Sequence, residues 1–215
     1  MDKSSGLSRR CVITGYGSIS SLGSNSTAIW QSVMDKSLGY HYQDLSAYNI
    51  RSKFFGNIKE MPSVSGLIMQ RSLSREGALT LSAATEAIKR AFSSELLSTY
   101  YLPEKAGVII GSGWAESDAS IQLGTEHQER NLTNPFSNLK LCPAAQRPSG
   151  PATACAIQYN LRGFQSTVMA AREASSMAIG QAFREIQHGT VDMMLAGGVE
   201  AIQQTAVASC YPKGR

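Results

Sequence analysis

The side chains of this 215-residue chain that are best suited to covalent chemistry are its four cysteines. A cysteine attacks as the thiolate, so its surroundings decide whether it reacts. No two of the four stand at the short spacing that holds a metal ion, and we predict no metal site. The three histidines fit no catalytic motif and are expected in loops or at the surface. These residues are Cys11, Cys142, Cys155 and Cys210, with His41, His127 and His188.

A glycine motif near the N-terminus suggests a second kind of chemistry, the binding of a dinucleotide. Residues 15–20 read Gly-Tyr-Gly-Ser-Ile-Ser, which supplies two of the three glycines of that fingerprint. Ser20 stands where the third glycine is needed, and no acidic residue ends a clear second strand. We therefore exclude a nicotinamide site and predict no cofactor.

The composition predicts one soluble domain. Hydrophobic residues make up 42% of the chain and charged residues 17%, enough apolar material for a sizeable core. The formal charge is +4, but the basic residues are scattered, which indicates a solvated surface and not a nucleic-acid site. Residues 1–10 are polar, and no apolar run approaches the roughly 20 residues that span a bilayer. We expect a cytoplasmic protein with reduced thiols and no membrane partner.

Strands and helices alternate along the chain. Short apolar runs that end at glycine predict buried strands at residues 11–14, 108–110 and 193–196. Helices are predicted at residues 27–35, after the capping residues Asn25 and Ser26, and at residues 74–92. Such alternation is typical of an α/β fold with a mainly parallel sheet covered by helices.

The segment from Ala174 to His188 predicts a helix that is buried over a wide arc. Its apolar residues form two neighbouring stripes, one of Ala174, Ala178 and Ala182 and one of Ile179, Phe183 and Ile186. Alanines on one stripe allow close approach, as in a helix sandwiched between two sheets. Residues 131–150, with their prolines, predict a long irregular connection.

Four blocks, in order, resemble the N-terminal half of the β-ketoacyl-acyl carrier protein synthases. The resemblance implies a thiolase-like α/β fold over residues 1–215, with the C-terminal half of the family fold absent. The block at residues 186–200 is the most diagnostic. The blocks are residues 9–17 with Leu22–Gly23, residues 107–113, Asn134–Pro135–Phe136, and residues 186–200.

The resemblance also locates the family's catalytic position, which is a cysteine at a sharp strand-to-helix junction. That cysteine precedes by eight residues the glycine of an Ala-Ile-Gly motif, here Gly180, so Arg172 occupies its place. Cys155, in a Thr-Ala-Cys run, falls upstream, and Gln158 replaces the glycine that follows the nucleophile by three. We predict that Cys155 is structural. The alternative is a fragment of an active synthase that is acylated at Cys155.

Arginine has no nucleophilic form at physiological pH, since its guanidinium stays protonated. The two catalytic histidines of the family belong to its second half and are absent here. This pattern resembles the chain-length factors of type II polyketide synthases, which pair with a catalytic synthase subunit and meet the acyl carrier protein through that complex. We expect Glu173 to form an ion pair with Arg172 at a partly buried junction and to help hold the subunit interface.

The family also implies an interface and a tunnel residue. Its members dimerise by pairing the strand before the junction, here residues 164–171, antiparallel with the same strand of the partner. Trp114, which follows the Gly-Ser-Gly turn, would line and shorten the acyl tunnel, or else pack in the core. The predicted interface residues are Gln165, Ser166, Thr167, Val168, Met169, Arg172 and Glu173.

Half of the family fold would leave the apolar arc of residues 174–188 uncovered. We therefore expect either a fragment or a short subunit that is stable only in its complex. A third possibility, an isolated regulatory or carrier-binding module, would instead be a stable monomer.

Overall fold

A computed structural model describes six ranges of the chain, residues 9–44, 52–58, 60–63, 73–93, 96–113 and 147–201. The helices in these ranges are α1 (Ser26–Met34), α2 (Arg75–Ala91), α3 (Gly150–Tyr159) and α4 (Ala174–Gln187). The strands are β1 (His41–Tyr42), β2 (Phe54–Phe55), β3 (Ala106–Ser112), β4 (Gln165–Met169) and β5 (Met193–Gly198). Single 3-10 turns cover Leu97–Thr99, Pro103–Lys105 and Ala171–Glu173.

The central sheet contains β4, β3 and β5 in that order, and both pairings are parallel. Ile110 of β3 lies opposite Thr167 on one side and Gly197 on the other. Every residue of β3 is buried. The predicted strands at residues 108–110 and 193–196 and the predicted parallel sheet are therefore confirmed. Strands β1 and β2 form a separate antiparallel pair.

Helices cover both faces of this sheet, which gives three layers. Val108 and Ile110 point to the face where α2 and α3 pack, and Ile109 points to the opposite face, against α4. Alternate residues of a strand face opposite sides, so β3 supplies both cores at once. This arrangement agrees with the predicted thiolase-like α/β class.

Two of the helices begin directly after a capping side chain: Asn25, one of the two predicted caps, precedes α1, and Ser74, predicted as the first helical residue, precedes α2. The Asn25 side chain accepts a hydrogen bond from the backbone N–H of Ala28 at 2.8 Å, ahead of α1. Ser74 accepts from the N–H of Gly77 at 3.0 Å, ahead of α2. These side chains satisfy N–H groups that have no partner within the helix.

Helix α3 was not predicted from the sequence. Its buried residues are mostly alanines with Cys155, so the usual pattern of large apolar residues is missing. Pro151 fits the first turn, where its missing N–H costs nothing. The helix ends at Asn160, whose φ of 54° is left-handed, as is common for a helix-terminating residue.

The strand predicted at residues 11–14 is wrong. This segment joins no sheet in the described part of the chain, and Val12 and Ile13 are 69% and 88% exposed. The outer edges of β4 and β5 pair with no strand in the described ranges, so residues 11–14 stay outside the sheet although edges are open.

The N-terminal segment instead lies along α2, and its two glycines make this possible. A Cβ on Gly15 would lie 2.1 Å from the carbonyl oxygen of Ala87, and one on Gly17 would lie 2.1 Å from that of Ala83. The motif that resembles a dinucleotide fingerprint therefore serves close packing.

The Glu86 carboxylate fixes the same segment to α2. It accepts hydrogen bonds from the backbone N–H groups of Ser18 at 3.0 Å and Ser26 at 3.1 Å, and from Arg90 at 2.9 Å. Burial alone would raise the pKa of Glu86, but these donors together hold that pKa below its ordinary value.

Helix α4 has one covered stripe and one open stripe. Ala174, Ala178 and Ala182 are buried against the sheet, as predicted. Met177, Ile179 and Phe183 on the other side are 53%, 53% and 43% exposed. Of the two predicted apolar stripes, only the alanine stripe is buried in the described structure, so the predicted burial over a wide arc is not met there. None of the helices in the described ranges has the length and apolar character needed to cross a membrane.

We predict that Gly17→Ala lowers the free energy of unfolding by about 1–3 kcal/mol, because the new methyl group would overlap the Ala83 carbonyl. Urea unfolding of the purified chain measures this. Gly180→Ala is the control, since a Cβ there meets nothing within 4 Å and alanine favours the helix. Equal stability of the two variants would contradict the packing role of Gly17.

We also predict that Glu86→Gln lowers the free energy of unfolding at pH 7 by about 1–3 kcal/mol, since an amide cannot accept all the donors around it. Because the pKa of Glu86 is lower in the folded state than in the unfolded state, its carboxylate stabilises the fold at pH values above the unfolded-state pKa. This stabilisation is lost as the pH falls through the folded-state pKa. The difference in the free energy of unfolding between the wild-type chain and Glu86→Gln therefore becomes smaller below about pH 4. Urea titrations at pH 7 and pH 3.5 test this, with exposed Glu60→Gln as the control.

Candidate functional site

The junction between β4 and α4 forms the candidate site. The strand ends at Met169, the helix begins at Ala174, and one 3-10 turn, Ala171–Glu173, joins them. We refer to this turn as the elbow. Arg172 is its middle residue, so the position inferred from spacing lies at a sharp strand-to-helix junction, at the carboxyl edge of the parallel sheet.

The elbow contains a strained backbone. Ala171 has a φ of +45°, in the left-handed region that residues other than glycine rarely adopt. The other such non-glycine residues in the described ranges, Lys36 and Asn160, lie just after the ends of helices. A left-handed alanine costs about 1–3 kcal/mol, so the surrounding structure must hold it in place.

Glycines at the ends of β3 and β5 supply that support. A Cβ on Gly111 would lie 2.3 Å from the Ala174 carbonyl oxygen, and one on Gly198 would lie 2.3 Å from the Ser175 Cβ. A Cβ on Gly113 would lie 3.1 Å from the Ala171 carbonyl oxygen. The elbow and the first turn of α4 therefore rest directly on the strand ends. We call Gly111, Gly113 and Gly198 the glycine bed.

The expected ion pair between Arg172 and Glu173 is not formed. Both residues are exposed, and no salt bridge joins them. Neighbouring residues on a helical turn point in different directions, and exposed charges gain little from pairing. The junction is also more open than the expected partly buried one, so Arg172 presents its charge to solvent.

Cys155 lies elsewhere, in the interior. It stands in the middle of α3, on the sheet face opposite α4, and is 0% exposed. Burial raises the pKa of its thiol to about 12. The thiol is therefore protonated and covered at neutral pH, which is the environment of an inert structural cysteine.

The predicted interface residues from Gln165 to Met169 form β4, whose outer edge pairs with no strand in the described ranges, while Arg172 and Glu173 lie in the elbow. Gln165 and Met169 at its two ends are exposed, while the three residues between them are half-buried. The Gln165 amide donates to the carbonyl oxygen of Leu161 at 2.8 Å. Val168 packs on the α4 side, and the Thr167 hydroxyl is covered and without a hydrogen bond. Ser166 is paired with Ile109 in the ladder.

Several other sequence predictions concern residues at the margins of the described structure. Trp114 and His127 lie outside the described residues. His188 is exposed at the end of α4. The described residues include no group of three or more His, Cys, Asp or Glu side chains that could hold a metal ion.

Sequence reasoning missed one residue near the elbow, Glu200. Its Oε2 accepts a hydrogen bond from the backbone N–H of Gly113 at 2.9 Å. The sequence did offer a signal for it, because Glu200 is a charged residue two positions after the end of β5. Polar groups at the carboxyl ends of parallel strands lie together at one edge of the sheet.

The family profile described as "Beta-ketoacyl synthase, N-terminal domain" matches residues 8–214. The chain belongs to the β-ketoacyl synthase family. It is 28% identical over 202 residues to 3-oxoacyl-[acyl-carrier-protein] synthase 1 of Buchnera aphidicola, covering 90% of this chain and 48% of that protein. It is 31% identical over 201 residues to Nodulation protein E of Rhizobium leguminosarum, covering 91% of this chain and 48% of that protein. The chain thus spans about half the length of these relatives.

Solved β-ketoacyl synthases share the fold. A synthase from Burkholderia phymatum superposes with a TM-score of 0.73 at 22% identity, covering 92% of this chain and 48% of that one. A ketosynthase in complex with its chain length factor, from Xenorhabdus doucetiae, gives a TM-score of 0.73 at 21% identity, with the same coverage.

We predict that Cys155 resists alkylation. With a pKa of about 12 and no exposed surface, its thiol should react with iodoacetamide at pH 8 at least about 100-fold more slowly than that of half-buried Cys11. Peptide mass spectrometry over a time course measures both rates in one sample. Labelling of Cys155 as fast as Cys11 in the folded protein would contradict a structural role, and urea-unfolded protein serves as the control for full reactivity.

Proposed function

We propose that the chain is a non-catalytic partner subunit that resembles a chain-length factor. In this proposal it pairs with an active β-ketoacyl synthase and shapes the acyl tunnel during polyketide or fatty-acid-type chain elongation. The observation that carries the proposal is Arg172, an exposed arginine at the middle of the elbow where the family resemblance places the nucleophilic cysteine.

Condensation requires a group that can form a thioester at this position. The Arg172 guanidinium remains protonated and only donates hydrogen bonds, so it cannot attack an acyl thioester. Cys155 cannot substitute for it from the described position, since it is buried on the other face of the sheet and its thiol is protonated.

A partner also suits the surfaces that the described structure leaves open. The outer stripe of α4, with Ile179 and Phe183, is apolar and exposed. An apolar surface of this kind favours burial against another protein. We therefore propose that residues 1–215 act as one half-domain whose α4 stripe is covered in the complex.

The outer edge of β4 is the proposed pairing surface. Backbone N–H and C=O groups on an open edge can extend a sheet into a second subunit with few demands on sequence. The similarity to a ketosynthase that was solved in complex with its chain length factor, from Xenorhabdus doucetiae, supports the proposal of a partner subunit. Another neighbour, superposing at a TM-score of 0.64, is a ketosynthase complex with an acyl carrier protein, and we propose contact with a carrier through the complex.

We propose Trp114 as the residue that lines the tunnel. It directly follows Gly113, whose main chain abuts the Ala171 carbonyl at the elbow. An indole near that point would shorten the space available to an acyl chain.

The second candidate function is a fragment of an active β-ketoacyl synthase. The identity to 3-oxoacyl-[acyl-carrier-protein] synthase 1 favours it. This reading requires an acylated residue in the chain, for which Cys155 is the candidate.

We predict that the chain co-purifies with a catalytic synthase subunit co-expressed from the same source, and that Arg172→Ala changes assembly or product length. Removing the exposed cation at the elbow should weaken the complex by about tenfold or shift the product distribution. Size-exclusion chromatography and product mass spectrometry measure these outcomes. Arg10→Ala, at an exposed arginine of the N-terminal segment away from β4 and α4, is the control. Wild-type assembly and product length in Arg172→Ala would contradict the role proposed for Arg172.

A further inference from the structure

Glu200 closes the diagnostic block at residues 186–200, yet nothing in the proposed function uses it. The ladder between β5 and β3 continues past the strand end, because the N–H of Val199 donates to the carbonyl oxygen of Gly111 at 2.9 Å. The next bond comes from a side chain, as Glu200 Oε2 accepts from the N–H of Gly113 at 2.9 Å. The carboxylate therefore extends the parallel pairing by one more bond.

This bond acts on a tightly packed stretch of main chain. A Cβ on Gly113 would lie 2.6 Å from Glu200 Oε2 and 3.1 Å from the Ala171 carbonyl oxygen. The backbone of Gly113 is thus held between the Glu200 carboxylate and the elbow. Because Ala171 is the strained residue of the elbow, any movement of Gly113 changes the support beneath it.

The surroundings of Glu200 favour the neutral form of its carboxyl group. Desolvation raises its pKa, the N–H of Gly113 lowers it, and the charge of Glu76 raises it again, with a net upward shift. A carboxyl group whose pKa is higher in the folded state stabilises the fold at pH values below its unfolded-state pKa. This stabilisation is lost as the pH rises through the folded-state pKa. Glutamine at this position should therefore be at least as stable at pH 7 and would still offer an acceptor oxygen.

We propose that Glu200 is a positioning residue for the elbow. Its side-chain acceptor fixes the main chain at Gly113, and Gly113 in turn holds Ala171 and Arg172 at the carboxyl edge of the sheet. The consequence for partner binding rests on the proposed function, whereas the effect on the elbow belongs to this chain alone.

The experiment compares Glu200→Ala with Glu200→Gln in the full chain. Backbone amide NMR signals of Gly113, Ala171 and Arg172 report the elbow directly. The affinity for the catalytic synthase, measured by titration, reports the interface. Glu86→Gln is the matched control, because it removes a carboxylate that also binds backbone N–H groups but anchors the N-terminal segment instead.

We expect Glu200→Ala to shift all three amide signals and to weaken partner binding by about tenfold, the effect of losing one well-placed hydrogen bond. Glu200→Gln should restore the affinity to within about twofold of wild type, since the amide oxygen accepts the same bond. Glu86→Gln should lower stability but leave the elbow signals and the affinity unchanged.

Unchanged amide signals of Ala171 and Arg172 in Glu200→Ala would overturn the proposal. An equal loss of affinity for the synthase in Glu200→Ala and in Glu86→Gln would also overturn it. If the wild-type chain does not bind a synthase, the proposed function fails, and the three amide signals still decide whether Glu200 positions the elbow.

Discussion

The close contact between the elbow and the glycine bed is the constraint on which the rest of the structure depends. Gly111, Gly113 and Gly198 leave no side-chain volume at the carboxyl ends of β3 and β5, so the start of α4 lies directly on backbone. The alanine stripe of α4 continues this close approach along the sheet. A larger residue at any of these points would lift the helix and release the strained φ of Ala171.

In the proposed function, this constraint keeps the geometry of the strand-to-helix junction while Arg172 stands in place of a nucleophile. A sharp turn at the edge of a parallel sheet exposes its middle side chain, and here that side chain is Arg172. The thiol of Cys155, by contrast, is placed where burial suppresses its ionisation. The fold is therefore that of the β-ketoacyl synthase family, and the side chain exposed at the elbow is a cation, from which we propose recognition of a partner and not acyl transfer.

Sequence alone predicted the parts of the fold that local pattern determines. Strands β3 and β5 are short apolar runs that end at glycine. The resemblance to the family, through the spacing to Gly180, placed Arg172 at the junction where the structure has it. The strand expected at residues 11–14 is not formed, because pairing with a sheet edge depends on contacts far away in sequence, which a local apolar run does not reveal. Helix α3 was missed because alanines carry little periodic signal. Glu200 was missed because its partner, Gly113, is 87 residues away in sequence.

The most direct test of the account is to find which chain carries the acyl group. The chain would be purified with its synthase partner, incubated with an acyl-thioester donor, and both proteins analysed by intact and peptide mass spectrometry. The account predicts an acyl adduct on the partner alone and none on this chain. A thioester on Cys155 would contradict it and would favour the fragment of an active synthase.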